Sequence, residues 1–410
     1  RSRRQRQMCI RDRHRRCVQV QEYNTINLLA CKDVVVNNFK EGENVVVIEA
    51  QTKKLKSCPY CGSKHIWVHD HRTQKIKDTQ MHGKKCIINL RKTRYNCKCC
   101  GKRIDSKTEL VANKMTMTKR LVASIAREFR ELYSIKSISR RYSVSTSTVT
   151  RVLSYLSVER KSLPKVLLID EFKGDSGSYK YQCSLLDGIT HEIIDIVKSR
   201  QENILLEYFK NIPKKERDKV EIFVSDMSKT FKNVKNTYFK DAVHIADKYH
   251  FVRQVSWSLE NVRKRIQKDT SAEMRIYLKR SKSILTKPMP KLNDDQKRKA
   301  ALMLEISEDL RLAYGLKESF YQEVLVQKNK EQAQYKVNAW IDICKKSKLK
   351  EFKSCITAFT NWSDEITNSF DYKYSNGALE GKHTKIKTLK RNSFGMRNFK
   401  RFRKRIMLLD

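Results

Sequence analysis

Acidic residues are scarce in this chain: its 410 residues carry 45 Asp and Glu against 88 Lys and Arg, a formal net charge of +43. No single acidic patch on a protein partner calls for such a surplus. A polyanion does, because each basic side chain at a phosphate releases condensed counterions. Long apolar runs are missing too. No stretch approaches the ~18–20 apolar residues of a spanning helix, and no secretory apolar segment appears, so a membrane surface is the weaker alternative to a polyanion. Glycine and proline are sparse, 11 and 5 residues, and do not gather into a low-complexity linker. No internal repeat is visible, which excludes repeat arrays. The length leaves room for two or three domains at roughly 100–200 residues each.

Twelve cysteines are present. Without a secretion signal they read as metal ligands in a reducing cytosol, not as disulfides. Cys58-Pro59-Tyr60-Cys61-Gly62 and Cys97-Lys98-Cys99-Cys100-Gly101 are two CxxC knuckles with 35 residues between Cys61 and Cys97. Two residues between cysteines let both thiolates reach one ion while the following glycine turns the backbone. Two such turns complete a tetrahedral Zn²⁺ site of Cys58, Cys61, Cys97 and Cys100, closed and therefore structural. Cys99 is the alternative to Cys100. The span around Ile87-Ile88-Asn89-Leu90 alternates as ribbon strands do. Cys86 and His69-Asp70-His71 are expected to be fold or surface residues.

Residues 1–22 are Arg-rich and lack apolar periodicity. They are expected to be a non-native or disordered basic tail: Met8-Cys9-Ile10-Arg11-Asp12 reads like a translated sequencing adapter, the alternative being a native tail that grips DNA. A zinc-ribbon domain is expected over 23–110, with a hairpin of Val34–Val36 and Val45–Ile48 around Gly42. A helix-turn-helix is expected over 111–160. From Lys165 the pattern becomes α/β: strands at Val166–Ile169, Tyr181–Leu186, Glu192–Val197, Val220–Val224 and Ala242–Ala246, with a helix at Ile204–Phe209. This part is expected to run over 161–252. Val252, Val255, Leu259, Val262 and Ile266 then step by three and four, opening a helical insertion over 253–364, and residues 365–410 close the chain with basic helices.

Within the helix-turn-helix, Ile138 and Tyr142 supply the first helix's apolar face, Ser139 its crossing point and Val144 the turn. Ser145 can cap the second helix. Val149, Val152 and Leu153 face the core, which leaves Ser147, Thr148 and Arg151 for the major groove. Ser143 stands in the turn where glycine is common.

Three carboxylates stand out by position. Asp170 ends Val166–Ile169 and Asp226 ends Val220–Val224, so the two can converge at one sheet edge. Glu380, in Asn376-Gly377-Ala378-Leu379-Glu380-Gly381-Lys382, is a lone acid beside eleven Lys and Arg between Lys382 and Arg405. One reading of Glu380 is a surface salt bridge. The sharper one is a metal ligand within a DNA-binding face that includes Lys382, Lys385, Lys387, Lys390, Arg391, Lys400 and Arg401, with Lys387 two turns along the helix from Glu380. Three carboxylates can hold two Mg²⁺ or Mn²⁺ ions for phosphoryl transfer. Asp247, at the end of Ala242–Ala246, is the rival ligand, ranked as an active-site neighbour or strand-end residue. Glu171 is expected to point away from Asp170.

Together these residues resemble insertion-sequence transposases of the ISL-three family over nearly all of Asn24 to Leu409. The most specific pieces are Ile169-Asp170-Glu171-Phe172, Ser225-Asp226-Met227, His244–Val252, and Asn376–Arg391 with Phe394-Gly395 and Phe399. Leu28-Leu29, Lys32-Asp33 and Arg94-Tyr95 also fit. The resemblance implies a multidomain α/β protein whose RNase H-like catalytic domain is interrupted by a helical insertion, with Asp170, Asp226 and Glu380 as Asp-Asp-Glu ligands. The 154-residue step from Asp226 to Glu380 fits that insertion. It further implies double-stranded DNA, as transposon ends and target, for a partner. A homodimer or higher oligomer would bring two ends together, in a prokaryotic cytoplasm at the nucleoid. Lys382-His383 and Gly174-Asp175-Ser176-Gly177 depart from the family pattern without removing a ligand. The competing readings are a zinc-dependent DNA-binding regulator, which needs no strand-end acids, and an inactive or cleavage-only transposase relative.

Overall fold

The computed structural model describes residues 28–112 and 115–409, so the basic tail expected at 1–22 lies outside the described residues. The chain divides into two compact units between Ser157 and Val158.

In the first unit, β1 (Val34–Glu41) and β2 (Val45–Thr52) pair antiparallel around Gly42. β2 runs parallel to β4 (Lys84–Cys97), which pairs antiparallel with β3 (Ile66–Met81) and with the short β5 (Arg103–Asp105). His82 and Gly83 close the β3–β4 hairpin, both at positive φ (52° and 73°), the turn geometry whose twist matches the flanking strands. Alternate residues Val46, Ile48 and Ala50 of β2 and Cys86, Ile88 and Leu90 of β4 share one buried core with Ile76, as a period of two dictates. Three helices follow: α1 (Lys119–Glu128), α2 (Ile135–Arg141) and α3 (Thr146–Tyr155). Each starts at a hydroxyl residue, Thr118, Ser134 and Ser145, whose side chain accepts from the backbone N–H three residues on. Buried Asp78 on β3 binds both the Thr118 hydroxyl at 2.6 Å and the Arg120 guanidinium, which fixes α1 to the sheet.

The second unit is built on a five-stranded sheet in the order β10-β9-β6-β7-β8, from β6 (Val166–Ser176), β7 (Tyr179–Asp187), β8 (Ile193–Val197), β9 (Ile222–Ser225) and β10 (Val243–Ala246). β6, β9 and β10 are parallel; β7 is antiparallel to both its neighbours. Leu167 and Ile169 of β6 face a core with α4 (Glu202–Lys210) and α5 (Lys229–Tyr238), through Leu205, Phe209, Phe231 and Val234. Phe172, of opposite parity, faces the other side, where its ring meets those of His383 and Phe402.

After β10 the chain enters a helical body with its own core: α6 (Lys248–Lys268), α7 (Ala272–Leu285), α8 (Asp294–Glu305), α9 (Glu308–Ser319), α10 (Lys330–Lys346), α11 (Lys353–Asn361) and α12 (Ser363–Asp371). Phe251, Phe320, Trp340 and Phe359 interlock at its centre. The insertion boundaries expected at 252/253 and 364/365 both fall inside helices. α6 starts at Lys248 because its buried ladder runs unbroken from Phe251 to Ile266, and α12 continues to Asp371. α13 (Gly377–Asn392) and α14 (Phe399–Met407) then return to the sheet, packing on β6 and β8.

Candidate active site and zinc centre

Register places three aspartates level at one edge of the sheet. Leu168 pairs with Val224 and Ala246 with Ser225. Two residues beyond Leu168, Asp170 therefore lies beside Asp226, and one residue beyond Ala246, Asp247 lies on its other side. With neighbouring strands ~4.8 Å apart, the three carboxylates share one edge and feel one another's charge. Burial pushes the Asp170 carboxyl up to about 7, and the charges of Asp226, Asp247 and Glu171 add to the rise. Burial likewise pushes Asp226 up to about 6, against the opposing pull of His250. Asp247 is raised by burial first, with the Glu380 charge acting in the same sense. One oxygen of Asp226, Oδ1, is buried without a hydrogen-bond partner. Glu171 is turned to Arg200, which holds it by two contacts of 2.8 and 2.7 Å.

Glu380 is exposed on the first turn of α13. The start of that helix is tied to the aspartates: the Asn376 backbone N–H donates to Asp247 Oδ1 at 3.0 Å, and its side-chain amide to the Ile169 carbonyl at 3.4 Å. One turn on, buried His383 lies over β6 and β7. Its Nε2 is 2.6 Å from Ser184 Oγ, Ser184 being the cross-strand neighbour of Asp170, and its Nδ1 is 3.7 Å from Asp170 Oδ2. Burial, with the Lys387 charge, pushes this imidazole down to about 4, so it is neutral at neutral pH and the approach to Asp170 is not an ion pair. Asn376 and His383 lie in the stretch singled out in the sequence but were given no site role there, and Ser184 was not singled out. The signal available was the step of three and four along α13, which puts Leu379, His383, Ile386 and Leu389 on its buried face.

The four cysteines converge more tightly. The ligating sulfurs of Cys58, Cys61, Cys97 and Cys100 all lie within 4.8 Å of one another, the only such set of three or more ligating side chains found among the described residues. Asp170, Asp226 and Glu380 are not gathered that closely. Gly62 and Gly101, at φ 73° and 66°, return their N–H groups to the Cys58 and Cys97 carbonyls at 2.9 and 3.0 Å, so each knuckle is a tight turn that aims two thiols one way. Cys99 is exposed and lies outside the cluster. Asp70 and His69 bind Arg94 and Arg103 on the ribbon strands.

The basic residues are distributed unevenly. Lys385, Lys387, Arg391, Lys400 and Arg401 are exposed, Lys382 is half-buried, and Lys390 is bound to Asp175 at 2.7 Å. In the first unit, Ser143 holds φ 50°, the left-handed turn conformation for which glycine is common. Ser147 and Arg151 are exposed on α3. Thr148 is not: it is buried, its hydroxyl 2.9 Å from that of the capping Ser145, which corrects its expected place on the DNA-facing surface.

Among families of known proteins, a model described as a transposase, of the ISL3 DDE type, matches residues 167–406. A second, described as the zinc-finger of transposase IS204/IS1001/IS1096/IS1165, matches residues 54–100. The chain is 18% identical over 373 residues to the transposase for insertion sequence element IS1001 of Bordetella parapertussis, covering 87% of this chain and 89% of that one. A stretch of 57 residues, 14% of this chain and 18% of the other, is 39% identical to an ATP-dependent protease of Lactococcus lactis subsp. lactis, too short to bear on the whole.

Proposed function

The chain belongs to the ISL3 family of transposases, and from that premise we propose that it binds the ends of an insertion sequence and catalyses metal-dependent DNA cleavage and strand transfer at Asp170, Asp226 and Glu380. The observation that carries this reading is the level placement of Asp170 and Asp226 at the ends of adjacent parallel strands, with the start of the Glu380 helix tied to the same edge. The strand order, with β7 alone antiparallel, supports an RNase H-like catalytic domain. The donor set fits hard divalent cations: carboxylates sharing one sheet edge, with raised pKa, and an orphaned buried oxygen on Asp226 are what a cation would satisfy. Bound there, two Mg²⁺ or Mn²⁺ ions supply an activated nucleophile and a stabilised leaving oxygen for in-line displacement at phosphorus.

The chain's own residues hold the reaction's parts. Asp170 and Asp226 present the ligand oxygens, and Glu380 completes the set from α13. Asp247 is a positioning residue: through the Asn376 N–H it fixes where α13 begins. Neutral His383 bears on Asp170 without competing for a cation. Lys385, Lys387, Arg391, Lys400 and Arg401 offer phosphate contacts near this edge, while Ser147 and Arg151 on α3 read the element's ends as a recognition helix. The zinc ribbon (Cys58, Cys61, Cys97, Cys100) holds the first unit's fold. Two copies bridging two ends is the assembly this chemistry asks for.

The test is cleavage and joining of an end-containing duplex with and without divalent metal. Asp170→Asn, Asp226→Asn and Glu380→Gln should each abolish both steps while DNA binding survives. Activity persisting in chelator overturns the reading. Full activity of Glu380→Gln beside a dead Asp247→Asn moves the third ligand to Asp247. Terminal inverted repeats and short target duplications around the gene are the matching genomic observation.

A further inference from the structure

α6 begins immediately after Asp247, at the edge where the aspartates gather, and one face of it is left uncovered. Tyr249, Arg253, Trp257, Asn261, Lys264 and Lys268 follow at steps of three and four and are all exposed, over roughly 28 Å of helix. Tyr249 and Trp257 are 58% and 46% exposed, large values for aromatic rings on a helix whose other apolar residues are buried or, for Val252, half-buried. They are not loose: the Arg253 guanidinium lies between them, 5.8 Å from the Tyr249 ring and 4.2 Å from the Trp257 ring, and His250 meets Tyr249 edge-on at 5.5 Å. Further along, Lys264 and Lys268 border a basic hollow with Arg265 and Arg275.

Flat aromatic faces alternating with a guanidinium, followed by lysines, match the two demands of an unpaired DNA strand: bases that need stacking partners and phosphates that need cations. Paired DNA has no use for the rings, since its bases are already stacked. We propose that this face of α6 is a track for single-stranded DNA at the mouth of the active site, its bases stacking on Tyr249, Arg253 and Trp257 and its phosphates running on toward Lys264 and Lys268. The proposal rests on the reading of the strand-end acids as a DNA-processing site, and it names the form of DNA that site handles: an end whose strands are separated.

The experiment uses the full chain in magnesium-free buffer, so that binding is read without cleavage. Trp67 is the other exposed tryptophan, and Trp340 and Trp362 are buried, so Trp67→Phe protein reports on Trp257. Single-stranded oligothymidine should quench that emission, and a blunt duplex of equal length should quench it far less. Read by the anisotropy of end-labelled DNA, Tyr249→Ala and Arg253→Ala should weaken oligothymidine binding about tenfold each while duplex affinity stays within about twofold; Trp257→Phe should retain most of the affinity and Trp257→Ala should not. All four substitutions sit on an exposed face, and unchanged melting temperature checks that they fold. Equal losses on both DNAs, no loss on either, or a change confined to self-association in sedimentation overturns the proposal, the last result assigning the face to a second copy of the chain. If these binding results fail while wild-type protein still cuts ends, only the track is wrong; if they hold and no cutting occurs, only the catalytic reading is.

Discussion

Asp226 keeps a buried carboxylate oxygen with no donor beside buried Asp247 and half-buried Asp170, an arrangement that costs free energy unless a proton or a cation is present. The sign of its pH dependence follows. Carboxyls with folded-state values of about 7 and 6, for Asp170 and Asp226, favour the folded chain below their unfolded values near ~4, and that contribution is lost as pH rises through 6 and 7. Asp226→Asn should therefore raise the melting temperature at pH 7.5 in buffer without divalent ions, by roughly 1–3 kcal/mol of stability, and have little effect near pH 4. A lower melting temperature at pH 7.5 would show that the carboxylate is satisfied in some other way. The same protons compete with metal. Mn²⁺ binding measured by calorimetry should strengthen from pH 5 to about 7.5, release protons, and level off above; a flat profile counts against Asp170 and Asp226 as ligands.

Two elements have an identifiable anchor, and each anchor predicts a localised failure. Helix α13 is tied to the aspartate edge through Asn376. Asp247→Ala removes the acceptor for its first backbone donor, so amide exchange over residues 376–380 should speed up and cleavage should fall, while zinc content stays at wild type. Unchanged exchange there would deny Asp247 its positioning role. The zinc ribbon fails the other way: the double substitution Cys58→Ser with Cys97→Ser should reduce zinc from about one per chain to none and destabilise the first unit, leaving exchange in β6 and β9 as it was. Zinc retained in that variant would place the ion elsewhere. At this scale the sequence was legible wherever a pattern is local. The CxxCG knuckles, the apolar runs ending in Asp170 and Asp226, and the hydroxyl cap at Ser145 all appear in the structure as elements of the expected kind. What could not be read is what depends on distant pairing. That Asn376 meets Asp247, or that His383 meets Ser184 across 199 positions, is set by tertiary packing and leaves no trace in spacing. Thr148 was misplaced because a threonine early in a helix fits equally well as a groove contact and as a packed partner of the cap.

Across the whole molecule the surplus of +43 charges sets how the protein meets DNA. Affinity for any duplex should fall steeply with salt. Replacing Lys400 and Arg401 with Ala should weaken end and random DNA alike and flatten that slope, whereas Arg151→Ala should cost more on end DNA than on random DNA. Equal losses on every DNA for Arg151→Ala would remove α3 as the reading helix. The order of parts along the chain has a genetic consequence as well. Asp170 and Asp226 precede the helical body and Glu380 follows it, 154 residues after Asp226. A frameshift anywhere in that body spares residues 28–157 but deletes Glu380, the proposed third ligand. Such an allele would occupy ends without cutting them, so a decayed copy should act as a dominant repressor of its intact siblings. Excision frequency in cells carrying both alleles measures this, and a frequency unchanged by the truncated copy would show that it does not compete.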